Sequence, residues 1–222
     1  MDIAAKGKAS AKSDPDVDLM LRVQQDDALA FQELMMSYEN RLRRILQHSV
    51  GSASVAEDLV QDVFLRVWRA RKNYQPAAKF STWVFHIAHN VASNSIRDRK
   101  KRREFQAKDS TPGDSAVFGM EQMAVASTGA MPALRLDKAE RADMVRFAID
   151  SLNERQRMAL LLCKFEGLSY QDIADTMDLT PQAVKSLLSR ARVNLKTLLA
   201  PYIDQGLLPG QEEGTLDQDD ET

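Results

Sequence analysis

Residues 180–192 read TPQAVKSLLSRAR. Their spacing implies a helix with two unlike sides. Val184, Leu187, Leu188, Ala191 and Leu195 form an apolar stripe, and Gln182, Lys185, Ser186, Ser189 and Arg190 lie opposite. From residue 182 to residue 196 there are four basic side chains and no acid. Such a face suits hydrogen bonding to nucleic acid: residues near the helix start reach base edges, and basic residues behind them hold phosphates. Gln182 and Lys185 are the base-edge candidates, and Arg190, Arg192 and Lys196 suit the backbone.

Two other segments carry functional chemistry. In AEDLVQDVFLRVW (residues 56–68), Asp58, Gln61, Asp62 and Leu65 fall together opposite the stripe Val60, Val63, Phe64 and Val67. Acids beside an exposed leucine suit docking to a basic partner. Further on, Tyr74, Phe80, Trp83 and Phe85 precede RDRKKRR at residues 97–103. Aromatic platforms and a positive groove are what hold single-stranded nucleic acid, and residues 73–79 could pocket a flipped base. The competing reading makes Phe80 and Trp83 core residues, and for Trp83 it is the stronger. Asn90 and Asn94, one turn apart, are placed to reach bases.

No catalytic constellation emerges. His86 and His89 are spaced i, i+3, but His48 and Cys163 are the only other soft ligands near in kind, and nothing brings them close. Cys163 in LLLCKF reads as a core residue. Neither a phosphate-cradling glycine loop nor a nucleophile elbow is present. The expectation is a protein that is not an enzyme and uses no metal or cofactor.

The elements that must position these faces are helices. Leu19, Val23, Phe31, Leu34, Met35, Tyr38, Leu42, Ile45 and Leu46 recur at three- and four-residue steps. Gly51 and Ser52 break that run. Ser81 is the expected cap of the helix carrying Trp83, Ile87 and Val91. Ser151 and Glu154 form an S-x-x-E box, and Gly167 stops the helix that follows. Ser169 caps the next helix with Asp172 at its third position. Thr180 caps the last, with Pro181 in its first turn where a missing N–H costs nothing. Ala174 permits a close helix crossing and Leu179 fills the corner, which is a helix-turn-helix arrangement. The expected fold is all-α: two small helical domains joined by a flexible linker. The boundaries are a disordered extension (1–15), a first domain (16–103), a linker (104–135), a helix-turn-helix domain (136–202) and an acidic tail (203–222).

The chain is 44% hydrophobic and 28% charged, as expected of a helix-rich protein. No apolar run approaches the roughly 20 residues of a membrane span, and the N-terminus lacks the apolar core of a secretory signal. With a single cysteine, the expectation is a cytoplasmic protein without membrane insertion. The net charge of −2 hides segregation: residues 60–103 hold eleven Lys/Arg and two Asp, while residues 203–222 hold seven Asp/Glu and no base. A basic block of that size can neutralise phosphates and gain from counterion release.

In order along the chain, AEDLVQDVFLRVW, FSTWVFHIAHNVASNSIRDRKK, LNERQRMALLLCKFEGLSYQDIADTM and VKSLLSRAR together resemble the extracytoplasmic-function (ECF) group of bacterial RNA polymerase sigma factors, in the sigma-70 family. The resemblance covers about residues 16–103 and 136–201. It implies that residues 56–68 dock on core RNA polymerase, with Asp58, Gln61, Asp62 and Leu65 as contacts. It implies that residues 73–103 recognise and melt the promoter −10 element, with Lys79, Phe80, Asn90, Asn94, Arg97, Arg99 and Lys100 as candidates. The C-terminal domain would read the −35 element through Gln182, Lys185, Ser186, Ser189, Arg190 and Arg192. The linker would thread toward the polymerase active-site and RNA-exit path, and an anti-sigma factor is an implied partner. The chain departs from the family pattern at Leu187, where many members have arginine, at Gln182-Ala183, where they have Gly-Thr, and at Asp178, a turn position often held by glycine. Leu187 belongs either to the core stripe or to a divergent promoter preference. The rival reading is a helix-turn-helix regulator that binds duplex DNA without serving as a polymerase subunit. An adaptor that binds polymerase without reading DNA is a third, against which Gln182 and Lys185 argue.

Overall fold

The computed structural model describes residues 14–109 and 138–204. All but the last two residues of the expected extension, all but the first two of the expected acidic tail and most of the expected linker lie outside the described residues. Those described form eight α-helices and a 3-10 turn at Arg71–Asn73.

Helix α1, Pro15–Gln24, starts where the sequence gives it three reasons to start: Pro15 in the first turn, Asp14 accepting from the Asp16 N–H, and acids at Asp16 and Asp18 beside the positive end of the helix dipole. Helix α2, Ala28–Val50, is capped by Asp27, which accepts from the N–H groups of Leu29 and Ala30. It ends at Gly51, whose φ of 69° lies in the left-handed region glycine tolerates. Helix α3, Ala53–Ala70, and helix α4, Phe80–Asp109, follow. Helix α2 packs against α1, α3 and α4, and α3 lies against α4.

The connection after α3 is tied to the turn before α2. Asp26, itself at φ 66°, accepts from Arg71 (2.9 Å) and Lys72 (2.6 Å). Those bonds, Lys72 first, hold its carboxyl below the usual carboxylate range. Gln24 donates to the Tyr74 carbonyl at 2.6 Å. Helix α4 begins one residue before the expected cap, Ser81. The Phe80 N–H is instead satisfied by the Asp14 carboxylate at 3.0 Å, from 66 residues away. A sequence scan for local caps cannot find such a partner.

In the second half, α5 spans Lys138–Asp150, α6 Glu154–Phe165, α7 Tyr170–Met177 and α8 Pro181–Asp204. The S-x-x-E box expected at Ser151 and Glu154 does not form. Asn153 caps α6 by accepting from the Gln156 N–H, and Ser151 Oγ instead donates back to the Phe147 carbonyl. Asn153 sits nearer the first turn and carries its own acceptor, so it displaces the serine. The two downstream caps form as the sequence implies: Ser169 Oγ accepts from the Asp172 N–H at 3.1 Å, and Thr180 Oγ1 from the Ala183 N–H at 3.2 Å. Between α7 and α8 the chain turns at Asp178 (φ 54°), and the Leu179 N–H reaches the Ala174 carbonyl at 2.9 Å. Helix α8 packs across α5, α6 and α7.

The halves are docked. Helix α7 lies on α4 and α6 on α2. The buried apolar residues form one cluster that runs from Val17 to Ala191.

Candidate polymerase and nucleic-acid faces

On α3, Ala56, Val60, Val63, Phe64 and Val67 are buried. The i, i+3, i+4, i+7 geometry therefore turns Asp58, Gln61, Asp62 and Leu65 outward together. Leu65 is 52% exposed. Asp62 is only partly exposed and is joined by Arg66 at 3.1 Å. All of the expected docking residues share this face.

The aromatic platform dissolves into core. Phe80 and Phe85 are 1% exposed and Tyr74 is 5% exposed. Tyr38, Tyr74, Phe80 and Trp83 meet in edge-on or tilted pairs with centroids 4.8–6.3 Å apart. Burial drives the Tyr38 and Tyr74 hydroxyls far above their usual range, with acids nearby adding to it. Phe80, expected to contact DNA, instead anchors the start of α4 within the core, and Trp83 is partly buried against that core. Of residues 73–79, where a base pocket is expected, only Lys79 lines a depression, shared with Asp14, Asp16 and Arg41.

Lys79, just before α4, and the polar residues Thr82, His86, Asn90, Asn94 and Arg97 of α4 form a stripe. Asn90 and Arg97 are exposed. Asn90 Nδ2 contacts His86 Nε2 at 3.0 Å, and Arg97 donates to Asn94. Lys100 is exposed, whereas Arg99 turns back to the Val50 carbonyl at 3.1 Å. Beside Arg97 and Lys100, a cleft of about 370 Å³ lies between α4 and the second half, with His89, Glu154 and Arg155 among its walls.

The N-terminal part of this stripe meets α7. Lys79 Nζ lies 3.2 Å from Asp172, and Thr82 donates to the same carboxylate at 3.3 Å. His86 Nδ1 is 3.1 Å from the Thr176 carbonyl. Ser93 donates to Glu154 at 2.9 Å. Burial alone would raise the Asp172 carboxyl, but hydrogen bonds from Ser169 and Lys79 outweigh it and hold it below the usual range. Sequence reasoning missed these cross-helix partners. Asp172 and Glu154 read as helix-start residues, and no sequence signal gives them a second partner.

On α8, Gln182, Lys185, Ser189, Arg190 and Arg192 are exposed, and Ser186 is half-buried. Val184, Leu188 and Ala191 are buried on the other side. Leu187 is partly buried and packs against the core cluster, as the apolar-stripe reading expects. The steps from 182 to 185, 189, 192 and 196 draw a continuous line along the helix. The basic side chains Lys185, Arg192 and Lys196 on this line are exposed.

Comparison with known proteins bears on these faces. Residues 34–102 match Sigma-70 region 2, and residues 142–195 match Sigma-70, region 4. The chain is 32% identical over 193 residues to the RNA polymerase sigma-H factor of Pseudomonas aeruginosa, covering 85% of this chain and 95% of the relative. It is 32% identical over 190 residues to the ECF RNA polymerase sigma-E factor of Escherichia coli K12, covering 83% and 94%. Among solved structures, the sigma factor RpoE of Bartonella quintana, in complex with the anti-sigma factor NepR, is similar at 26% identity and a TM-score of 0.55, over 77% of this chain and 96% of that one. CnrH, in complex with the cytosolic domain of CnrY, shares the fold at 21% identity and a TM-score of 0.60, over 85% and 99%.

Proposed function

The chain belongs to the ECF group of the sigma-70 family of RNA polymerase sigma factors, and from that premise we propose how its faces divide the work of initiation. Asp58, Gln61, Asp62 and Leu65 on α3 dock on bacterial core RNA polymerase. Asn90, Asn94, Arg97 and Lys100, with Lys79 once it is freed from Asp172, meet the −10 element as it melts. Arg99, bonded to the Val50 carbonyl, stiffens the helix that presents them. Gln182, Lys185, Ser186 and Ser189 meet the edges of the −35 element in the major groove, and Arg190 and Arg192 hold its phosphates. The first domain is assigned to 16–103 and the −35 domain to 136–202.

One observation carries this reading most directly: two exposed, chemically opposite faces, acidic-apolar on α3 and basic-polar on α8, lie on separate halves of a chain of this family. A regulator acting alone has no use for the α3 face. The protein acts as a polymerase subunit and not as an enzyme. Among the described residues no helix is long and apolar enough to cross a membrane, and we place the protein in the cytoplasm with the polymerase. An anti-sigma factor is an expected partner, since the Bartonella relative is seen in complex with one.

The test is run-off transcription from a genomic fragment library. The chain with core polymerase is expected to initiate at discrete sites, with neither component doing so alone. A sharp duplex footprint by the chain alone, without polymerase-dependent initiation, would restore the regulator reading.

A further inference from the structure

Helix α8 carries a charge that its own sequence does not balance. Residues 179–203 hold four Lys/Arg and no acid, and residues 205–222, just beyond α8, hold six Asp/Glu and no Lys/Arg. Lys185, Arg192 and Lys196 are exposed along one line of the helix, with Arg190 exposed further round. Arg190 Nε donates to the Ser186 carbonyl at 3.3 Å, and Arg192 lies 3.5 Å from the Tyr170 hydroxyl. Among the described residues no acid pairs with Arg190, Arg192 or Lys196. Exposed arginines elsewhere do meet an acid close in sequence: Arg22 with Asp27, Arg66 with Asp62, and Arg146 with Asp143. The other basic block, residues 97–103, contains its own acid, Asp98, and commits Arg99 to the Val50 carbonyl.

Connectivity brings the two blocks within reach of each other. Lys196 lies about 12 Å, and Arg190 about 21 Å, back along the helix from Asp204. The seven uncharged residues 205–211 can cover up to about 25 Å. They include Gly206, Pro209 and Gly210, residue types that permit a reversal. Glu212 and Glu213 can therefore meet Arg192 and Lys196, and the later acids can extend toward Lys185. A segment tethered so closely acts at an effective concentration on the order of millimolar. An affinity of only about 10⁻⁴ M, the weak end of non-specific DNA binding, then fills the face roughly nine-tenths of the time. We propose that the acidic segment 205–222 docks back on the basic line of α8 and occupies the places of nucleic-acid phosphates until DNA displaces it. The competition with DNA rests on the assignment of α8 to the −35 element, whereas the contact itself rests on charge and reach.

The experiment uses the full chain in two arms. In the first, carried out without DNA, Cys163→Ser removes the one native thiol and a nitroxide is attached at Thr215→Cys. Paramagnetic broadening of backbone amide signals is expected at residues 185–196 and is expected to vanish at about 0.5 M salt, where the Debye length falls to a few ångströms. It should also vanish when the segment is neutralised at unchanged length by Glu212→Gln, Glu213→Gln, Asp217→Asn, Asp219→Asn, Asp220→Asn and Glu221→Gln. No broadening, or broadening at residues 97–103 in place of α8, overturns the proposal. In the second arm, a fluorescent DNA duplex of mixed sequence is titrated with the parent and with the neutralised chain. The neutralised chain is expected to bind roughly tenfold more tightly at low salt, and the gain should shrink as salt rises. A gain below twofold overturns the competition, because the segment then withholds nothing from DNA. Arg192→Ala in the neutralised chain separates the two assignments. If it leaves duplex binding unchanged, the −35 assignment of α8 fails, while the broadening still decides whether the segment docks there.

Discussion

Arg41 Nε lies 2.7 Å from Glu166 Oε2, across 125 residues of sequence. The Glu166 side chain is 1% exposed and that of Arg41 35% exposed, so a carboxylate is buried by one domain and neutralised by the other. The guanidinium also stacks over the Tyr38 ring, 4.4 Å from its centroid. Burial would lower the Arg41 pKa, but Glu166 more than offsets it and the net shift is upward. Among the described residues Glu166 Oε1 has no hydrogen-bond partner, so Arg41 is the acid's main compensation.

Removing the base should therefore cost more than removing both charges. Arg41→Ala is expected to destabilise the chain by about 2 kcal/mol, below the usual range for a fully buried pair because the arginine is partly solvated. Arg41→Ala with Glu166→Gln should cost less than Arg41→Ala alone. Urea denaturation of the four proteins of this cycle measures the coupling. Simple additivity would show that the contact contributes nothing to the folded state.

Asp62→Arg should separate binding from folding. Among the described residues Asp62 pairs with Arg66 alone, one turn along the same exposed face, and such pairs contribute about 0.3–0.5 kcal/mol. The variant should keep its melting temperature within a few degrees yet lose core polymerase in a pull-down, with no change in −35 duplex binding. Normal retention of polymerase would remove Asp62 from the docking face.

On α8 the same logic distinguishes reading from holding. Lys185→Ala should cost about 1–3 kcal/mol on the preferred −35 duplex and relax preference at one base pair. Arg192→Ala should weaken all duplexes alike and reduce the steepness of the salt dependence by roughly one phosphate contact. Titrations at several salt concentrations on matched and mismatched duplexes check both. Equal losses on all duplexes for Lys185→Ala would reassign it to the backbone.

The helices and their faces were legible because each rests on local physics. Apolar spacing alone places Val60, Val63 and Phe64 inside and Leu65 outside. Asp172 behind Ser169, and Pro181 behind Thr180, mark helix starts that the structure keeps. What misled was chemistry without burial. Phe80 and Tyr74 have the residue types of a base-stacking platform, and only their packing on Tyr38 and Trp83 shows that they serve the core. Long-range satisfaction was equally hidden. The N–H of Phe80 finds Asp14, and Lys79 finds Asp172, through contacts that no spacing rule encodes. The resemblance to sigma factors gave the division of labour, but not the docking of one half onto the other.

His89 makes a pH dependence that can be assigned a sign. It is half-buried in the cleft between α4 and the second half, and its Nδ1 has no hydrogen-bond partner among the described residues. Burial pushes its imidazole below the ordinary 6.5. Glu154 and Asp178 pull the other way, and His86 and Arg155 add to the depression without reversing the outcome. A base whose folded pKa is depressed binds fewer protons folded than unfolded across the interval between the two values, so stability rises with pH through that interval. The contribution is complete above about 6.5 and is lost as the pH falls toward the folded value. Urea midpoints for the parent should thus drop between pH 7.5 and pH 5.5 by more than those of His89→Gln, which has no proton to take up. The substitution keeps a polar side chain of similar reach, so a difference in slope reports the proton and not the lost volume. Parallel pH profiles for the two proteins would mean that the cleft hydrates His89 as freely as the unfolded chain does.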